Sequence, residues 1–205
     1  MPSKWYRIRP QICRFGLRGL LVAVTVFACL FAWWSYRARQ QRSAVAALTA
    51  IGGEITYSHE SDYFGHAPAT NRPPVPDWLW NLLGPDYFVS VHSIRFVAPE
   101  SNSSHPIFEV YDHDLLHLAH LPDVQYLDLD LCPISDDGLV HVRHLQNLKI
   151  LTLSYTNVTD EGLPHLYTLD ALEIVRLWDT NVTDSGAQKL RQRLPNLTIE
   201  RFEDG

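Results

Sequence analysis

Aspartate and glutamate are absent from the amino-terminal stretch 1–42. That stretch holds Lys4, Arg7, Arg9, Arg14, Arg18, Arg37, Arg39 and Arg42, a charge of +8. The remainder, 43–205, carries 9 Lys/Arg against 23 Asp/Glu, or −14, so the 205-residue chain nets −6. An acid-free basic end of this kind points to a membrane or nucleic-acid contact there. The shortage of bases in the remainder argues against nucleic-acid binding by the main domain, because affinity for phosphate needs clustered Lys/Arg. Cysteine is scarce as well: Cys13 lies in the leader, Cys29 in an apolar run, and only Cys132 in the body. Three such cysteines make no disulfide framework, so the body must be held by its core. Catalytic signatures are missing: there is no G-x-S-x-G, H-E-x-x-H, phosphate loop or dinucleotide fingerprint. The expectation is a protein without catalysis and without a cofactor. Apolar residues are plentiful, at 46% with 20% charged, which excludes wholesale disorder. The stretch 43–205 has room for one domain of ordinary size.

Gly19 to Tyr36 form an unbroken run without charge, GLLVAVTVFACLFAWWSY. As a helix it reaches roughly 27 Å, close to the hydrocarbon thickness of a bilayer. Trp33, Trp34 and Tyr36 cluster at one end, where amphipathic rings prefer the headgroup region. Five Lys/Arg precede the run and three follow it, which favours a cytoplasmic amino terminus and an extracytoplasmic body. A cleaved signal peptide needs a small-x-small site, and Phe-Ala-Trp-Trp-Ser-Tyr matches it poorly. Val26-Phe27-Ala28-Cys29 loosely resembles a lipoprotein site, with a bulky Phe27 and apolar residues beyond the cysteine. The expected division is therefore a basic leader over 1–18, a transmembrane helix over 19–36, and a juxtamembrane stretch over 37–76. That stretch reads as a helix over 37–51 running into water, a stop at Gly52-Gly53, a short strand at Glu54–Tyr57, and a Pro-rich connector. A short helix capped by Asp77 follows within 77–90. Its Trp78, Trp80, Leu82 and Leu83 cover nearly the whole circumference, so much of it is expected to be buried, as an amino-terminal cap for what comes next.

Beyond position 90 the chain repeats with a step of 24. Leu127, Leu151, Val175 and Ile199 share one phase, and Leu129, Leu153 and Leu177 another. The same step links Ile134, Val158 and Val182; Asp136, Asp160 and Asp184; and Gly138, Gly162 and Gly186. Thr156 and Thr180 are each followed by Asn-Val-Thr-Asp. The shared pattern is L-x-L-x-x-[CT]-x-[IV]-[ST]-D-x-G-[LA]. This pattern resembles the leucine-rich repeat, L-x-x-L-x-L-x-x-[NC]-x-L, with Cys132, Thr156 and Thr180 on the family's Asn/Cys position. The resemblance covers residues 91–202 within a domain over 91–205. Its first unit, Val91, Ile94 and Phe96, is degenerate and carries an insertion of nine within Pro99–Asp114. A basic leader, one span and a few such repeats resemble bacterial single-pass membrane-anchored leucine-rich-repeat proteins of unassigned function. The resemblance implies an α/β fold: a short solenoid with parallel strands on the concave face and helices on the convex face.

The repeat has readable physics. Leu127 and Leu129 point to one side of a strand, and stacked strands bury a continuous apolar core. Ser135, Thr159 and Thr183 can cap helices, and the aspartates after them place negative charge at the positive helix end. Polar clusters are weighed against the same period. His113, His117 and His120, at i, i+4 and i+7, could gather a metal on one helix face. Yet His117, His141 and His165 are 24 apart, as are His120 and His144, so a solvated row is the plainer account. Cys132 reads as a small buried hydrophobe. Asn102, Asn157, Asn181 and Asn196 begin N-x-[ST] sequons, a weak sign of glycosylation. What remains is a surface. Tyr126, Asp128, Asp130, Thr152, Ser154, Arg176 and Trp178, with Ile150, Ile174, Glu200 and Phe202, are the expected concave-face positions. Arg176 with Trp178 is the expected contact for an unknown protein partner, since Trp and Arg are favoured at hot spots. Trp178 packing on Tyr155 or Phe202 is the competing reading. Two other functions stay open: a histidine-lined metal-binding or metal-dependent hydrolytic protein, and an envelope protein self-associating through the terminal strand.

Overall fold

The computed structural model describes residues 17–58, 73–96 and 110–201. Cys13, most of the Pro-rich connector, Asn102 with much of the insertion, and Phe202 lie outside them. The chain forms two units, 1–36 and 37–205.

In the first unit the apolar run is helical, part of α1 (Leu17–Ala50). Gly19–Ala50 is long and apolar enough to cross a membrane, and none of its most apolar window is buried. Thr25 satisfies its hydroxyl within the helix, donating to the carbonyl of Val22 at 2.9 Å.

The second unit begins with the remainder of α1. Ala38, Gln41, Ala44 and Leu48 fall at steps of three or four and are all buried, so this part of the helix is docked rather than free in water. Ala44 and Leu48 belong to the core itself. The helix ends at Gly52, whose φ of +91° only glycine adopts freely. The chain then returns as β1 (Gly53–Tyr57), antiparallel to β2 (Val91–Phe96), with Ile55 opposite Ile94. Between them lies α2 (Asp77–Leu83), in which the structure corrects the sequence reading twice. Pro76, not Asp77, occupies the cap position, without a side-chain bond, and no residue of α2 is buried. The edge of the sheet is covered instead by β1, with Ala44 and Leu48 of α1 joining the core.

Next come β3 (Tyr126–Asp128), β4 (Ile150–Thr152), β5 (Ile174–Arg176) and β6 (Thr198–Glu200), three residues each. They extend β2 as a parallel sheet in sequence order. Ile94, Leu127, Leu151, Val175 and Ile199 align across it, so the register follows the 24-residue step. The return segments differ from one repeat to the next. The first is a 3-10 helix, Asp112–His120; the second is α3 (Asp136–Val142); the third is a short 3-10 turn, Leu163–Leu166, with Pro164 in it; the last is α4 (Asp184–Arg193). Each nevertheless delivers the same apolar position inward: Leu118, Val142, Leu166 and Leu190 are fully buried. Burial of each such side chain contributes about 1.5–3 kcal/mol.

The recurrent Ser/Thr-Asp-x-Gly is explained by contacts between repeats. Asp112 accepts the backbone N–H of Ser135 at 2.8 Å and its hydroxyl at 2.6 Å. Asp136 does the same for Thr159, at 2.8 and 2.7 Å, and Asp160 for Thr183, at 2.8 and 2.6 Å. A Cβ on Gly138, Gly162 or Gly186 would collide with the carboxylate of Asp112, Asp136 or Asp160. Aspartate in one repeat thus binds the hydroxyl residue of the next, and glycine leaves the space. The helix-dipole role read from the sequence is secondary: Asp136 and Asp184 do open helices, but the carboxylates of Asp136 and Asp160 are committed to the following repeat. Ser135 and Thr183 cap α3 and α4 as expected, accepting from Asp137 N–H and Gly186 N–H.

Candidate interaction surface

The concave positions divide into a polar network and an apolar rim. Asp128 is the hub. It accepts from the Tyr126 hydroxyl at 2.9 Å, from the Thr152 hydroxyl at 2.6 Å and from the Asp130 N–H at 3.2 Å. The Arg95 Nε stands 3.9 Å from it, and the Arg95 guanidinium lies 6.0 Å over the Tyr126 ring. Asp130 accepts the Ser154 N–H at 2.7 Å. On the last pair of strands, Arg176 donates to Glu200 at 2.7 Å. Residues 24 apart therefore bind one another laterally, from β3 to β4 and from β5 to β6.

This corrects the expected surface. Tyr126, Thr152 and Ser154 are buried, because Asp128 and Asp130 fold across the neighbouring strand instead of pointing away from the sheet. Asp128, Asp130 and Arg176 are half-buried, and only Trp178 of the seven positions is exposed, at 40%. Burial pushes the Asp130 carboxyl above the usual carboxylate range, with the charge of Asp128 adding and the bond from Ser154 N–H opposing. Burial likewise pushes the Cys132 thiol up to about 12, with Asp128 and Asp130 adding. Cys132 is fully buried, so a reactive thiol has no geometric support.

The histidine triplet is dispersed. Residues 112–120 form a 3-10 helix, which places i and i+3 on one face. That geometry buries Leu115 and Leu118 together and turns His113 a third of a turn away from His117 and His120. His113 is exposed and stands 3.4 Å from Asp114. Among the described residues no three His, Cys, Asp or Glu side chains converge on a common point.

The residues that the sequence reading underrated sit just after the strands. Leu131, Tyr155 and Asp179, 24 apart, have φ of +63°, +59° and +51°, in the left-handed region that bulky side chains avoid. Leu131 is 38% exposed and Tyr155 51%. Leu131 N–H donates to the Ser154 carbonyl at 2.9 Å, and Tyr155 N–H to the Trp178 carbonyl at 2.8 Å. The 24-residue step thus sets Leu131, Tyr155 and Asp179 in one row beside the sheet, and exposed Trp178 stands one position before it, in the phase of Asp130 and Ser154. The signal was present in the 24-residue step: position 179 holds aspartate, a residue that tolerates left-handed backbone, and the equivalents are Leu131 and Tyr155.

Parallel strands in sequential order, joined by short returns around a leucine ladder, define a leucine-rich-repeat fold. The repeats are leucine-rich repeats: a leucine-rich-repeat family model matches residues 120–141 and 144–163. Among solved structures, it is similar to internalin C2 of Listeria monocytogenes, with 27% identity over 44% of this chain and 39% of that one, at a TM-score of 0.35. Internalin F of the same organism shows 17% identity over 44% of this chain and 32% of its own, at 0.33. The leucine-rich-repeat ectodomain of the receptor kinase SOBIR1 of Arabidopsis thaliana shows 10% identity over 80% of this chain and 92% of its own, at 0.35. The match thus spans less than two fifths of internalin C2 and less than a third of internalin F. No curated protein matches the sequence significantly.

Proposed function

We propose that this protein is a single-pass membrane-anchored interaction module without catalysis of its own. Residues 19–36 form the span, the amino terminus is cytoplasmic, and the repeats bind a protein partner outside the cytoplasm. The observation that carries the interaction reading is the exposure of Leu131, Tyr155 and Trp178 at the ends of successive strands. These residues border the polar network, and Leu131 and Tyr155 hold strained backbone while leaving apolar surface in water. Neither packing nor backbone preference accounts for that combination, and exposed aromatic residues are what binding hot spots use. The anchoring reading rests on the unburied apolar helix and on the excess of Lys/Arg before it.

A photo-crosslinking amino acid at position 155, in the full chain and in its native membrane, should yield one discrete adduct that Trp178→Ala weakens. The same group at position 189, exposed on α4, should yield none. Equal adducts from both positions, or from neither, would overturn the proposed face. A carboxy-terminal reporter active only in the cytoplasm should stay silent, and activity would reverse the orientation.

A further inference from the structure

Helix α2 is unlike α3 and α4, because it buries none of its residues. Trp78 and Leu82 lie four positions apart, hence on one side of it, and are 66% and 70% exposed. The opposite side is anchored. Trp80 stacks on Phe88 with ring centroids 5.7 Å apart. Asp86 accepts from the Gln41 amide at 3.3 Å and from the Tyr57 hydroxyl at 2.9 Å, and the Val89 carbonyl accepts from the same amide at 2.9 Å. Gln41 is itself buried by these contacts. A glutamine on α1 therefore holds the segment that α2 leads into.

The place of Gln41 in the chain gives this tether its meaning. It follows Tyr36, the last residue of the apolar run, by five positions, a length that spans at most about 18 Å even fully extended. Exposed Arg39 and Arg42 flank it on α1, the residue type that anionic headgroups attract. Tryptophan beside an aliphatic residue, close in the chain to a span and to arginines, has the chemistry of the headgroup boundary, where the indole ring is favoured. We infer that α2 is a second, interfacial membrane contact, with Trp78 and Leu82 inserted at the headgroup–acyl boundary of the bilayer that residues 19–36 cross. The inference rests on the span proposed above. Its partner is a lipid surface, and two attachments rather than one hold the body to it.

The test uses the full chain in lipid nanodiscs, with Cys13→Ser and Cys29→Ser so that Cys132 is the one native thiol left; Cys132 is buried and stays unlabelled. A nitroxide is attached at Leu82→Cys, at Phe27→Cys in the run, and at Tyr155→Cys on the rim. Power saturation then compares collision with oxygen, which partitions into lipid, and with a water-soluble nickel chelate. The oxygen-to-nickel ratio at position 82 should exceed that at position 155 several-fold and fall below that at position 27. Unchanged melting of the labelled Leu82→Cys protein checks its fold, which is expected for a site with so little burial. A ratio at 82 equal to that at 155, with 27 in lipid, overturns the α2 contact and leaves the span standing. Shielding of position 82 from both reagents also overturns it, since a protein surface such as a second copy then covers α2. Nickel access at position 27 overturns the span and this inference with it.

Discussion

The carboxylate of Asp136 accepts both the backbone N–H and the hydroxyl of Thr159, at 2.8 and 2.7 Å, from the repeat that follows it. The two residues are 23 apart, and Gly162 supplies the space in which the carboxylate sits. Three such rungs, from Asp112, Asp136 and Asp160, join four successive repeats along the convex side. The last aspartate in the series, Asp184, pairs with Arg201 at 2.9 Å instead.

The rung predicts coupling. Asp136→Ala removes two bonds to a carboxylate and should destabilise by about 2–3 kcal/mol. Gly162→Ala drives a methyl into that carboxylate and should cost about 1–3 kcal/mol. In the double variant the collision with the carboxylate is gone and only the flexible Leu139 side chain, 2.9 Å from the added methyl, must give way, so the combined loss should fall short of the sum by about 1 kcal/mol. Urea unfolding of the four proteins measures this. Strict additivity would show that Gly162 is needed for some reason other than Asp136.

The rim predicts a stabilising substitution. A non-glycine residue in left-handed backbone costs about 1–2 kcal/mol, while glycine costs about 0.5–1 kcal/mol in lost chain freedom. Tyr155→Gly should therefore be neutral or stabilising by up to about 1 kcal/mol in thermal unfolding. It should simultaneously lose whatever partner contact the ring makes. A loss of stability beyond about 1 kcal/mol would mean that the Tyr155 ring serves packing, and would remove the main argument for the binding face.

Two titrations follow from the network. With its thiol pushed up to about 12, Cys132 should resist iodoacetamide at about pH 8 in the folded protein and react once urea unfolds it. Mass spectrometry of the alkylated chain reads the result, and rapid labelling of the folded form would contradict it. Asp130 has its carboxyl raised by burial, so between the ordinary carboxylate value and the raised one the folded state keeps a proton that the unfolded state has released. Stability then falls as pH rises through that window. Asp130→Asn, which keeps an oxygen acceptor for Ser154 N–H, should be more stable than the native protein at about pH 7 and no more stable at about pH 3. The opposite order would place the charged form of Asp130 among the stabilising groups.

The register of the sheet is legible in the sequence. A period of 24 that puts Leu127, Leu151, Val175 and Ile199 in phase allows only one parallel alignment, because any slip would turn leucines toward solvent. The return segments were less legible. Asp112–His120 and Leu163–Leu166 wind as 3-10 turns rather than α-helices, and the choice between them depends on fitting a fixed leucine to a fixed core within a short stretch of chain. The period was blind to the partners of polar residues. Alternation along β3 placed Asp128 and Asp130 on the outward face, but only the approach of β4 decides that they bind Thr152 and Ser154 and bury them.

By itself, then, the sequence determined the repeat, its phase, its core, and an apolar helix of membrane length, since these follow from spacing and hydropathy along one chain. The tertiary structure decided which aspartate meets which threonine, why glycine stands beside them, and which side chains remain on the rim. It also left Trp78 and Leu82 of α2 exposed where burial was expected: the apolar residues of α2 are visible in the sequence, but what covers the end of a sheet is settled by competition. Here β1, backed by Ala44 and Leu48, occupies that place, because a strand satisfies the exposed backbone groups of β2 and a helix cannot.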